Sequence, residues 1–216
     1  MKGNLKRIDH PIFLQSIRFI RSQLNVKGLD PLQHQVLERL IHSSGDFGLQ
    51  SLLRFSPSAC DQGIAALQSG AFILTDTAMA AAAIQPMAAR TTNSPVRTVL
   101  EWVPEISFAE NQSRTAIGMK RAWQELTNNH TETPSPIVII GSAPTALEAL
   151  LDLVLNGQRP PSLIIGMPVG FIGVSESKRR LSNSGLPHVR LEGTRGGAGL
   201  AAATINALLR ATIEVT

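Results

Sequence analysis

The stretch Ile137-Val138-Ile139-Ile140-Gly141-Ser142-Ala143-Pro144-Thr145-Ala146-Leu147 decides the fold. Four β-branched residues in succession, with no polar alternation, read as a short strand buried on both faces. The glycine turn ends it, and Pro144 suits the first position of a helix, which runs to about Asn156 and stops at Gly157. The same grammar recurs twice downstream. Leu163-Ile164-Ile165 leads into Gly166-Met167-Pro168-Val169-Gly170-Phe171-Ile172-Gly173 and a helix that Ser175 can cap, ending near Gly185. His188-Val189-Arg190-Leu191 leads into Gly193-Thr194-Arg195-Gly196-Gly197 and an alanine-rich helix through Arg210. Three βα units between about 137 and 212 indicate α/β architecture: a mainly parallel sheet covered on both faces, a three-layer sandwich.

Upstream, Phe72-Ile73-Leu74-Thr75-Asp76 reads as a further strand, with Asp76 as cap of the Ala-rich helix after it. Arg97 to Val103 is a weaker strand, and Ser113 to Leu126 is helical. An amphipathic helix spans about 11–24. The next helix is strongly signalled by Asp30 as N-cap, Pro31 at the first position, Gln33 as capping-box partner, and Leu32, Val36, Leu37, Leu40 and Ile41 on one stripe. It ends at His42-Ser43-Ser44-Gly45. The polar segment 127–136 is a surface loop, so residues 1–216 read as one domain.

Composition excludes several function classes. A 216-residue chain can bury a large core, but aromatic content is 4 % with no Tyr, which argues against base-stacking platforms. Net charge is +4 with fifteen Arg against five Lys, dispersed apart from Lys178-Arg179-Arg180, so no nucleic-acid stripe is evident. That run reads as a solvated helix face. A polyanionic small molecule suits scattered arginines equally well. One cysteine, Cys60, permits neither an internal disulfide nor a thiolate-rich metal site and fits a reducing cytoplasm. No span resembles a membrane helix, and the sequons at Asn111 and Asn129 read as accidental.

The glycine turns floor a cleft at the C-terminal ends of the strands, where open α/β sheets bind ligands. Gly141-Ser142-Ala143-Pro144-Thr145 has the form of an anion-binding strand-to-helix turn but lacks the lysine of a P-loop. Gly197-Ala198-Gly199-Leu200-Ala201-Ala202 matches a dinucleotide pattern, yet no later strand follows to carry an acidic ribose ligand. The five histidines lack metal-ligand spacing. His42, at a helix end beside a small polar loop, either caps the last carbonyls or meets a ligand. Asp46 either orients that imidazole or caps the next segment. Ser16 sits among Ile12, Phe13, Ile17 and Ile20, where a serine often bonds back to its own helix. Arg114 opens a helix, an unfavourable place for a cation unless another group partners it.

Three stretches together carry a resemblance: Arg39-Leu40-Ile41-His42-Ser43-Ser44-Gly45-Asp46-Phe47, Ile139 to Leu147, and Ile165 to Lys178. In that order, and across about Pro11 to Leu209, the chain resembles the precorrin-8X and cobalt-precorrin-8 methylmutases of corrin biosynthesis. The resemblance implies a flavodoxin-like three-layer sandwich and a homodimer. It also implies an isomerase that moves a methyl group from C-11 to C-12 of the macrocycle by a 1,5-sigmatropic shift. His42 falls on the family's catalytic histidine, Ser16 on a serine near the substrate and Arg114 on an active-site arginine. The chain departs from the family pattern at Ser142 (asparagine expected), Ala198 (serine), Gln23 (glutamate), Ile17 (phenylalanine) and the pair Thr194-Arg195.

Such a rearrangement stays within one π-system, so it calls for no cofactor, and cobalt would arrive only as part of the substrate. What it asks for is a shaped pocket and a proton donor to a ring nitrogen, for which His42 is the candidate. The substrate's carboxylates would be received by backbone N–H groups near Gly141, Gly170 and Gly197, with Ser142, Thr145, Gly196, Arg114, Arg195 and Lys178 assisting. The partners expected are thus a tetrapyrrole and a second copy of the chain. The other reading of the same pocket is a non-catalytic corrinoid carrier.

Overall fold

The structure, a computed structural model, describes residues 10–25, 27–105, 113–128 and 134–214. The basic N-terminal run, the sequon asparagines Asn111 and Asn129, and His130 in the polar loop lie outside them. Six strands form one sheet in the order β1-β6-β5-β4-β2-β3, comprising β1 (Leu53–Phe55), β2 (Ile73–Thr75), β3 (Val96–Thr98), β4 (Ile137–Ile140), β5 (Leu163–Gly166) and β6 (His188–Leu191). All neighbours are parallel except β1, which runs antiparallel along β6 with Leu53 opposite Leu191. Leaving β1 aside, the sheet has the flavodoxin order 2-1-3-4-5, so the chain reverses its direction of winding between β2 and β4.

The unbroken apolar strands behave as expected of a sheet with two covered faces. Ile137, Ile139, Leu163 and Ile165 enter one core; Val138, Ile140 and Ile164 enter the other. On the first face pack α1 (Pro11–Gln23), α2 (Pro31–Ser44), α3 (Ala59–Gln68), α4 (Ala78–Ala88) and α8 (Ala198–Glu214). On the second pack α5 (Arg114–Asn128), α6 (Pro144–Leu155) and α7 (Val174–Asn183). Helix α8 lies against α2, α3 and α4 at once, which explains its alanines: Ala201, Ala202, Ala203, Ala207 and Ala211 are all buried and let the neighbours approach closely.

Helix α2 is capped as its sequence dictates. Asp30 accepts from the Gln33 N–H, Gln33 closes the capping box, and Gly45 at φ 67° provides the left-handed stop. Several expectations need correction. Thr77, not Asp76, caps α4; Asp76 is drawn elsewhere by stronger donors. Gly173 in the left-handed conformation, not Ser175, precedes α7. The weak strand 97–103 is a three-residue β3 followed by a 3₁₀ turn, Val99–Trp102, with its own capping box at Thr98 and Glu101. The edge strand β1 and helix α3 have no counterpart in the sequence reading; β1 has only three residues and takes its order from pairing with β6.

Candidate active site

His42 stands exposed in the last turn of α2, and its Nδ1 lies 2.9 Å from Ser16 Oγ on α1. Ser16 therefore does not spend its hydroxyl on its own helix. The register that brings the two together is set one turn further along the antiparallel helix pair. There Arg21 donates Nε and Nη2 to the two carboxylate oxygens of buried Glu38 at 2.6 and 2.8 Å. A two-pronged guanidinium–carboxylate contact fixes orientation as well as distance. Phe13 completes the cradle, edge-on to the imidazole with ring centroids 4.9 Å apart. Burial first, and the charge of Arg39 second, push the His42 pKa below its ordinary value, which favours the neutral imidazole.

Two residues past this histidine begins the wall of a cleft of about 570 Å³, lined by Ser44, Asp46, Val169, Phe171, Arg195 and Leu200 among others. Its parts come from the end of α2 and the 3₁₀ turn after it, the loop after β5, the loop after β6 and the first turn of α8. Asp46 caps the following 3₁₀ turn through the Gly48 N–H and ion-pairs with Arg195, so it stitches α2 to the last glycine loop and does not bond His42. Gly196 is required by crowding, since a Cβ there would stand 2.0 Å from the Met167 carbonyl oxygen. Phe171 and Ile172 project outward at 88 % and 89 % exposure.

The backbone donors offered to substrate carboxylates are mostly engaged within the protein. The Gly170 N–H donates to Thr194 O, and the Gly197 N–H to Met167 O. At the β4 turn the anion is internal: Asp76 Oδ2 accepts from the N–H groups of Gly141, Ser142 and Ala143 at 3.1, 2.7 and 2.8 Å. The winding reversal between β2 and β4, where this sheet order places a ligand, is thus closed by the chain's own carboxylate. The first-turn N–H groups of α8, at Ala198, Gly199 and Leu200, have no acceptor among the described residues.

Lys178 also corrects the expectation. It is 1 % exposed, and its Nζ donates to Gly193 O and Arg195 O at 2.8 and 2.6 Å, bracing the last glycine loop from beneath. Burial lowers its pKa to about 8. Arg180, its neighbour in the basic run, bridges Glu148 and Asp152, leaving Arg179 as the exposed member.

The profile of the precorrin-8X methylmutase family matches residues 11–211. The chain belongs to that family. It is 36 % identical to the cobalt-precorrin-8 methylmutase of Synechocystis, over 94 % of this chain and 95 % of that one. Identity to the precorrin-8X methylmutase of Pseudomonas aeruginosa is 38 % with the same coverage. The crystal structure of the Thermus thermophilus precorrin-8X methylmutase superposes with a TM-score of 0.84 at 34 % identity, covering 94 % and 96 % of the two chains.

The residues expected at the site from the sequence fall into two groups. His42, Ser16, Arg195, Gly196, Gly197 and Gly170 gather at the end of α2 and the two later loops. Arg114, Ser142 and Thr145 form a second cluster at the β4 turn, where Ser113 Oγ lies 2.6 Å from Thr145 Oγ1 and Arg114 is exposed with no partner among the described residues. The clusters abut, because the Val169 N–H donates to Gly141 O and Gly141 packs directly on Ala198. Sequence reading missed Asp76 as a turn-holder and the Arg21–Glu38 clamp. The signal for Glu38 was present: a carboxylate inside the apolar stripe Val36, Leu37, Leu40, Ile41.

Among the described residues no group of three or more His, Cys, Asp or Glu side chains is placed to hold a metal ion. Cys60 is buried and its thiol pushed up to about 12, which leaves it no thiolate character. No described helix is long and apolar enough to cross a membrane.

Proposed function

We propose that this chain catalyses the methyl shift from C-11 to C-12 of precorrin-8X or cobalt-precorrin-8, yielding hydrogenobyrinate or cobyrinate. The observation that carries the reading is the Ser16–His42 contact in the last turn of α2, the helix whose end leads into Ser44, Gly45 and Asp46 of the cleft wall. When Ser16 donates its hydroxyl proton to Nδ1, the neutral imidazole keeps its proton on Nε2, the nitrogen left for the ligand. An Nε2–H directed at a ring nitrogen of the macrocycle draws electron density toward that nitrogen and eases redistribution of the π-system as the methyl migrates. A lowered His42 pKa suits this role, because the neutral donor persists at physiological pH. A group so positioned contributes on the order of 10²–10⁴-fold, and restraint of the ring in reactive shape supplies the remainder.

The chain's own residues suffice for this chemistry: the bond broken and the bond formed lie in one molecule, and cobalt enters only inside its substrate. Arg195 and the α8 start are suited to the substrate's carboxylates. The apolar pair Phe171 and Ile172 beside the cleft supports a homodimer in which a second copy covers this loop. A lone buried cysteine supports a cytoplasmic enzyme.

Adding metal-free and cobalt-bearing substrate to the purified protein and following absorbance tests the reading. Many turnovers per protein are expected, and the His42→Ala variant should bind the corrinoid but convert it at least 100-fold more slowly. Conversion that stops at one equivalent would favour a carrier. Undiminished turnover by His42→Ala would remove the histidine from the mechanism.

A further inference from the structure

A second cavity, of about 210 Å³, lies between α1, α2 and α8. Its lining sets four arginines, Arg18, Arg21, Arg39 and Arg210, against one acid, Glu38. That acid is already taken by Arg21. Arg39 is only partly exposed, and among the described residues its guanidinium has no hydrogen-bond acceptor; its contact is the Phe13 ring, 5.0 Å from centroid to guanidinium carbon. Arg210 approaches the same ring at 5.0 Å, so two cations share one aromatic face-partner in a half-closed space. A planar fork of five donors, partly withdrawn from water and given no acceptor by the described residues, is an arrangement that an anion of matching geometry relieves.

The cavity adjoins the reactive histidine. Arg39 precedes His42 by one helical turn, and Phe13 touches both, lying under the guanidinium and edge-on to the imidazole. We infer that this cavity receives one carboxylate arm of the tetrapyrrole, with Arg39 as its bidentate receptor and Phe13 as the wall that sets the arm's distance from His42. The inference rests on the tetrapyrrole reading above. A carboxymethyl or carboxyethyl group fits a space several times the roughly 30 Å³ share of a water molecule. The bound charge would also offset two unfavourable effects together, the burial of the Arg39 cation and its repulsion of protonated His42.

The test titrates hydrogenobyrinate, and the set of its derivatives each amidated at a single arm, into wild type, Arg39→Met and Arg39→Lys, reading Kd from absorbance. Amidation of one particular arm should weaken wild-type binding roughly ten- to hundredfold, the scale of one charge-assisted bidentate contact. Arg39→Met should weaken the parent acid by a similar factor and bind that one amide no worse than wild type does, while Arg39→Lys falls between. Loss of affinity for all the ligands alike in Arg39→Met would reduce Arg39 to a structural residue, and unchanged affinity would overturn the proposal outright. The wild-type amide series decides the matter without any variant: equal Kd for every arm excludes a dedicated receptor. Failure of wild type to bind the parent acid at all would instead sink the tetrapyrrole reading, and this inference with it.

Discussion

Replacing Asp76 by alanine should cost the fold about 2–4 kcal/mol while leaving it folded. The carboxylate is fully buried and its Oδ2 takes three N–H bonds from the β4 turn, while Oδ1 has no partner. Hydrogen bonds to a charged acceptor contribute roughly 1.5–3 kcal/mol each when counted singly. They do not sum here, because the ion's own burial offsets part of the gain. Of the three donors stranded by alanine, that of buried Gly141 carries the full penalty of about 1–3 kcal/mol, whereas those of Ser142 and Ala143 lie nearer solvent. A domain of this size has on the order of 5–15 kcal/mol in total, so the variant should unfold cooperatively in urea, with a lower midpoint and an unchanged m value. Asp76→Asn keeps one acceptor and should cost about 1–2 kcal/mol near neutral pH. The pH dependence adds a sign. Burial pushes the Asp76 pKa up, and the three N–H bonds pull it down without cancelling that effect. Stability from a raised carboxyl is complete below the unfolded value near ~3.9 and disappears as pH climbs through the folded one. Wild type should therefore lose ground to Asp76→Asn as pH rises from about 4 toward neutrality. A loss below about 1 kcal/mol in Asp76→Ala would refute the account of the turn, and an opposite pH trend would show that the N–H bonds outweigh burial.

Ser16→Ala should lower kcat about tenfold with little change in KM, because it frees the His42 tautomer without removing a substrate contact; Ser16→Thr, which keeps the hydroxyl, should restore most of the rate in the same absorbance assay. Lys178→Met should remove a pH dependence that wild type shows. With the native pKa at about 8, wild-type stability measured by urea unfolding should gain on the order of 3 kcal/mol relative to the variant between pH 8 and 10.5, where the unfolded chain holds the extra proton; the raised Cys60 thiol, whose contribution falls over the same range, is common to both and cancels in the difference. Gly196→Ala forces the loop after β6 away from Met167, so a stability loss of about 1–3 kcal/mol and a raised KM are expected, and an unaltered melting curve would contradict the contact.

The fold was legible wherever the local signals agreed. Four β-branched residues before a glycine turn at Ile137, and the Asp30-Pro31-Gln33 box, each depend on neighbours a few residues away, so a sequence window contains the whole cause. The site was half legible. His42 and the glycine loops announce themselves by type and place, but their partners come from far along the chain. Asp76 reaches the β4 turn 65 residues on, and Ser16 meets His42 across 26. Neither pairing leaves a periodicity to read. Lys178 misled for the same reason: a basic triplet on a helix looks solvated until the loop after β6 folds over one member and supplies two carbonyls.

The position of Asp76 also bears on why the proposed site at His42 lies where it does. In this sheet order the crevice at the winding reversal between β2 and β4 is the natural receptacle for an anionic ligand, since the helix after β4 points its N–H groups there. Asp76 takes the N–H groups of the turn that leads into that helix, so Gly141, Ser142 and Ala143 already hold an internal acceptor. A cleft opens on the side of β5 and β6, where the α8 start keeps its first-turn N–H groups and His42 stands in the last turn of α2. Helix α2 lies against α8, and Arg21–Glu38 ties α1 onto α2, so the imidazole and its serine are held on packed helices of one face of the sheet. His42, proposed above as the proton donor, stands on a helix end whose neighbouring helix is clamped to it one turn away by Arg21 and Glu38, an arrangement suited to holding one imidazole still against a large ring.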